Sequence, residues 1–162
     1  RVARTASQMD HVPGAPLGVP PSMLDANDLG AGDFILLAPG LHAGFTLAAD
    51  DAGVTILGAQ NGGSVVTGAV KAQAGGVLQR LNLSGGVDVL GGVTDFALVD
   101  NTIGAGGVIL NGGSGLQLLH NRFNGATGIT IAAAASGLIP HNDIFPTATG
   151  LPIDAPFASF AV

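Results

Sequence analysis

Apolar and polar residues alternate along this chain in short runs, and the runs return at a nearly fixed interval. Four segments align: Leu78-Gln79-Arg80-Leu81-Asn82-Leu83, Leu98-Val99-Asp100-Asn101-Thr102-Ile103, Leu118-Leu119-His120-Asn121-Arg122-Phe123 and Ile139-Pro140-His141-Asn142-Asp143-Ile144, at steps of 20, 20 and 21 residues. A second set follows each of them: Gly86-Val87-Asp88-Val89, Gly107-Val108-Ile109-Leu110, Gly128-Ile129-Thr130-Ile131 and Gly150-Leu151-Pro152-Ile153, at steps of 21, 21 and 22. Strand side chains alternate between two faces, so each run predicts a short strand with every second residue turned inward. Two registers sharing one period mark a repeat architecture.

Stacking the repeats gives four inward columns. They are Leu78, Leu98, Leu118, Ile139; Leu83, Ile103, Phe123, Ile144; Val87, Val108, Ile129, Leu151; and Val89, Leu110, Ile131, Ile153, all apolar. A period near 20 is too short for a strand–helix–strand unit, which needs about 30 residues. The leucine-rich repeat has a similar period, but its signature is missing. The pattern therefore predicts an all-β parallel solenoid, a β-helix.

Upstream, Phe34–Leu37 reads as a first buried strand ended by Pro39-Gly40, and Phe45–Leu47, Val54–Gly58 and Ser64–Gly68 read as strands of two looser turns. Residues 1–29 read as an irregular arm, with Ser22 placed to cap a short helix over 23–29. The expected organisation is an arm at 1–29, a β-helix at 30–155 of about six turns, and a tail at 156–162 in which Phe157 and Phe160 could plug the open end. Asn101, Asn121 and Asn142 fall where the strand must bend. Asn tolerates left-handed backbone, and stacked amides can bond from turn to turn, so these three form an expected ladder, with Leu81 in the slot before them.

Composition narrows the function classes. The chain is 47% hydrophobic and carries 27 glycines, which suits many short buried strands broken by turns rather than a helical bundle. A net charge of −6 with five Lys+Arg cannot assemble the basic face that nucleic acid requires. No apolar run reaches the about 18 residues of a membrane span, so neither nucleic acid nor membrane insertion is expected. The chain lacks cysteine and therefore has no disulfide framework. It starts at Arg1, which reads as a processed product or a fragment.

The run Gly32-Asp33-Phe34-Ile35-Leu36-Leu37-Ala38-Pro39-Gly40, then Gly53-Val54-Thr55-Ile56-Leu57-Gly58-Ala59, then the Asn-x-(Ile/Phe) repeats, resembles the opening of pectate-lyase-like right-handed β-helix proteins over roughly residues 30–154. The resemblance implies a right-handed parallel β-helix. It also implies a choice among polysaccharide lyases, hydrolases, epimerases, phage tailspikes and surface adhesins. The Asp-Pro-His-Glu-type motif of the alginate epimerases, the paired Asp of the polygalacturonases and the Gly-Gly-x-Gly-x-Asp calcium repeats have no match here.

The register also gathers polar side chains. Arg80, Asp100, His120 and His141 share one outward column, and Asn82, Thr102, Arg122 and Asp143 share the next. Neighbours in a column lie about 5 Å apart, pairing Arg80 with Asp100 and Arg122 with Asp143 as surface ion pairs worth about 0.2–1 kcal/mol each. The alternatives are a metal or acid–base site on His120 and His141 beside Asp143, and a saccharide site using Arg80 or Arg122 against a uronate carboxylate. Asp88 is read as the sole charge in the column Asp88, Ile109, Thr130, Pro152. Lys71 is placed in a turn, Asp50-Asp51 in a turn that could bind calcium, and His11 and His42 stand alone. Ser64, Ser84, Ser114 and Ser136 have no His/Asp set in register to activate them.

Short Gly-Gly turns leave no wall for a cleft, and no Trp or Tyr supplies a sugar platform. The expectation is a non-catalytic structural or adhesive module of a larger secreted, cell-surface or phage-fibre protein, with no cofactor. Its partners would be the rest of a longer polypeptide or a second copy on the open solenoid end. A polysaccharide-active enzyme or carbohydrate-binding module is the alternative.

Overall fold

Short strands with one buried face can persist only if successive turns cover each other's edges. The computed structural model, which describes residues 29–144 and the backbone strands at 4–5, 153–154 and 158–161, shows that arrangement. After β1 (Arg4–Thr5), the first turn holds β2 (Phe34–Leu37), β3 (Gly40–His42) and β4 (Thr46–Leu47). The second holds β5 (Val54–Gly58), β6 (Ser64–Val66) and β7 (Val70–Ala72), and the third β8 (Gly76–Gln79), β9 (Asn82–Leu83) and β10 (Val87–Val89). The fourth holds β11 (Phe96–Val99), β12 (Thr102–Ile103) and β13 (Val108–Leu110), and the fifth β14 (Gly113–Leu119), β15 (Arg122–Phe123) and β16 (Ile129–Ile131). A sixth opens with β17 (Ala135–Leu138), β18 (Asp143–Ile144) and β19 (Ile153–Asp154), and β20 (Ala158–Ala161) follows.

The first strands of the turns, with β1 and β20 at the edges, make an eight-stranded sheet A; the second and third strands make six-stranded sheets B and C. All the pairings are parallel. The molecule is thus an all-β parallel solenoid, in the right-handed sense expected of parallel crossovers. It has about five full turns rather than the six expected. Among the described residues the only helical pieces are the 3-10 turns Ala49–Asp51 and Gln60–Gly62.

The predicted columns hold over most of their length. Leu78, Leu98 and Leu118 are register partners and fully buried, as are Leu83, Ile103 and Phe123. The column Val87, Val108, Ile129 also stands, but its next member is Ile153 rather than Leu151, and Asp154 rather than Pro152 follows Thr130. The chain advances six residues from Phe123 to Ile129 but nine from Ile144 to Ile153, so three further residues fall in the turn. The expected first buried strand is buried on one side only: Ile35 and Leu37 point inward while Phe34 and Leu36 are exposed. Arg4–Thr5, in the expected irregular arm, pairs with β2, and Ala158–Ala161, in the expected tail, pairs with β17. The predicted helix at 23–29 falls almost wholly outside the described residues, as do His11 and Phe157.

The corners differ in kind. From sheet A to sheet B, two residues intervene in each of the third, fourth and fifth turns. From sheet B to sheet C the count rises from three to four to five. Glycines line that second corner and lie backbone on backbone. A Cβ on Gly106 would fall on the Gly85 carbonyl, and one on Gly125 on the Gly104 carbonyl.

Candidate functional site

Two residues must carry the chain around the corner from sheet A to sheet B. The first of each pair takes left-handed backbone: Arg80, Asp100, His120 and His141 have φ of 56°, 55°, 56° and 57°. The sequence reading gave this conformation to the asparagines; it belongs to the residue before each. That residue turns outward, while the asparagine that follows turns in. Asp and His are among the few side chains enriched at positive φ, which suits three of the four positions.

Asn101 and Asn121 are 1% exposed, and Asn142 is half-buried. The Asn101 Nδ2 donates to Leu78 O at 2.8 Å and to Asn121 Oδ1 at 3.1 Å. Asn121 Nδ2 donates to Leu98 O at 2.8 Å and to Asn142 Oδ1 at 3.0 Å. Each amide oxygen also accepts a backbone N–H from the turn before: Leu81 to Asn101 at 2.9 Å, Asn101 to Asn121 at 3.0 Å, and Asn121 to Asn142 at 2.8 Å. The ladder is real and continuous over three turns. It stops at Leu81, and one turn earlier a serine stands in the same register place. Ser64 Oγ accepts the Ala59 N–H at 2.9 Å and donates to the Leu37 and Ala38 carbonyls.

The polar columns lie where the register places them. Thr102 sits between Asn82 and Arg122, and Arg122 is followed by Asp143. The expected Arg80–Asp100 ion pair is not seen among the described residues. The Asp100 carboxylate instead accepts from Gln79 Nε2 at 3.4 Å. Arg122 Nε donates to Asn124 Oδ1 at 3.1 Å. Arg80 Nε is buried and finds no hydrogen-bond partner. His120 and His141 stack, with ring centroids 5.1 Å apart and planes 9° from parallel, and both are exposed. No group of three or more His, Asp or Glu side chains converges among the described residues.

Other polar residues settle into structural tasks. His42 is buried, its ring bonded at Nε2 to Ala38 O at 2.9 Å, so it is not alone as the sequence suggested. Asp51 is buried in its 3-10 turn and accepts the Ala48 N–H at 2.8 Å. Lys71 lies in β7, not in a turn, and is the register neighbour of Asp88, which is therefore not the sole charge of its column. Asp88 also accepts from Asn111 Nδ2 at 2.6 Å. Asn111 was missed by sequence reasoning, and Ser64 was named without this role, because neither recurs at the repeat interval. A shallow depression at the second corner, lined by Gly44, Phe45, Thr46, Ala69 and Lys71, lies apart from the polar column.

Set against protein-family models, curated proteins and solved structures, the chain matches none of them. The fold therefore rests on its own geometry. It is a parallel β-solenoid. No helix among the described residues is long and apolar enough to cross a membrane.

Proposed function

We propose that the chain is a structural or adhesive module of a larger secreted or cell-surface protein, or of a phage fibre, and that it does no catalysis of its own. One observation carries this reading: the buried, saturated Asn101–Asn121–Asn142 ladder holds a rod whose corners are turned in a few residues. Such corners build no wall around the polar column, and a catalytic site needs groups converging on one point from several sides. The polar side chains here run in a line, one per turn. Apolar side chains stand exposed on all three outer faces: Phe34, Leu36 and Leu138 on sheet A, Leu41 on sheet B and Ile109 on sheet C. They suit contact with the rest of a longer polypeptide or with a second copy on the solenoid end. The pectate-lyase-like resemblance of the opening strands supports an extracellular setting.

A second reading is a polysaccharide-active or polysaccharide-binding module. The line Arg80, Asp100, His120, His141 beside Arg122 and Asp143 favours it, because an extended chain of uronates would meet one polar side chain at each turn. No cofactor is proposed for either reading, calcium included. Assays for lyase, hydrolase and epimerase activity on uronate polymers separate the two. We expect no turnover. Turnover that His120→Ala or Arg122→Ala abolishes would overturn the structural reading.

A further inference from the structure

We propose that His120 and His141 together bind one borderline divalent transition-metal ion (zinc, nickel or copper) on the corner between sheets A and B. The proposal goes beyond the module reading and does not rest on it. The two residues hold equivalent places in successive turns, each just before a ladder asparagine, with φ of 56° and 57°. Matched backbone aims the two side chains the same way. The rings confirm it, standing 5.1 Å apart and 9° from parallel. Both are exposed, so an ion can reach them and the rings can move without losing packing.

Binding requires the stack to open. A metal held at about 2.0–2.1 Å from each nitrogen with a tetrahedral angle needs the two nitrogens about 3.3 Å apart. Parallel rings a turn apart place like nitrogens about 5 Å apart, the spacing of neighbouring strands. For both lone pairs to meet at one ion the rings must leave the parallel stack and lean toward each other by roughly half the tetrahedral angle each, a rotation open to exposed side chains. Imidazole selects zinc, nickel and copper over calcium and magnesium, which prefer oxygen. No third His, Asp or Glu converges on the pair among the described residues, so water would complete the coordination. Asp100, in the next place along the column, is engaged by Gln79. Two ligands make a chelate of modest affinity, tightest for copper in the usual order of divalent ions.

The test uses the full chain without a polyhistidine tag, titrated with zinc or nickel chloride and followed through the imidazole NMR resonances. The His120 and His141 resonances should respond together at one equivalent, saturate below about 100 µM metal, and return when a chelator is added. Buried His42 should not respond. His120→Asn and His141→Asn should each weaken binding at least about tenfold; asparagine keeps the left-handed corner folded where alanine would strain it. His11→Asn should leave binding unchanged. Response of one histidine alone, saturation only at millimolar metal, or unchanged affinity in either corner variant would overturn the proposal.

Discussion

Asn121 uses every hydrogen-bonding position its side chain has. Both Nδ2 protons are donated, to Leu98 O and Asn142 Oδ1, and Oδ1 accepts from the backbone and side chain of Asn101. Its removal strands several buried groups at once, and each unsatisfied group costs about 1–3 kcal/mol. Asn121→Ala is therefore expected to lower unfolding stability by about 3 kcal/mol or more, and Asn142→Ala, half-buried and last in the ladder, by about 1 kcal/mol. Equilibrium urea unfolding of both variants measures the difference; equal and small losses would show that the ladder is incidental. The ladder residues were legible because three asparagines recur in register. The left-handed position beside them was not. Asp100-Asn101, His120-Asn121 and His141-Asn142 each offer two adjacent residues that tolerate positive φ, and composition cannot choose between them. What decides is which of the two must point inward to close the ladder.

The strands themselves were legible wherever alternation was strong, as in Val87–Val89 and Val108–Leu110, both with the central residue turned out. Where the reading slipped, it slipped by two residues, with Leu151 taken for Ile153. A shift of two keeps every side chain on its proper face, so the hydrophobic pattern cannot detect it. Only hydrogen-bonded register can. The turns were less legible still, since a glycine in sequence does not say whether it serves conformation or contact. At Gly106 it serves contact, because an added methyl would fall on the Gly85 carbonyl of the turn before. Gly30 has nothing within 4 Å of that place. Gly106→Ala is expected to cost about 1–3 kcal/mol, the usual range for overpacking, and Gly30→Ala almost nothing. Thermal melting of the pair tests it, and a silent Gly106→Ala would mean the stacked backbones can spread.

At the scale of the whole molecule, repetition made the architecture readable and left function unread. A repeat announces itself by return, whereas a site announces itself by convergence of residues distant in sequence. The one gathering that register could foresee, the column from Arg80 to His141, was placed correctly, yet the Arg80–Asp100 pairing within it was not. Register fixes where Cα atoms stand but not how long side chains lie. His42 and Ser64 were misjudged for the reverse reason. Each is buried by its neighbours in space, and nothing in the local sequence announces that.

The unequal corners set a rule for how such a chain can change its length. From the third turn to the fifth the corner between sheets A and B keeps to two residues while that between B and C runs to three, four and five; in the second turn, ahead of the ladder, the A-to-B corner itself takes five, 59–63. Along the ladder, insertions are thus admitted at one edge of the rod and refused at the other. One glycine added in the exposed stretch Ala126–Thr127 should leave the melting temperature within a few degrees, since lengthening a surface loop costs little. The same glycine between His120 and Asn121 should pull the amide from its stack and abolish cooperative unfolding. Calorimetry of the two insertions reads the outcome directly, and comparable melting would deny the rule. In a lineage of such rods, drift in length would accumulate on the glycine edge, and the asparagine edge would keep count.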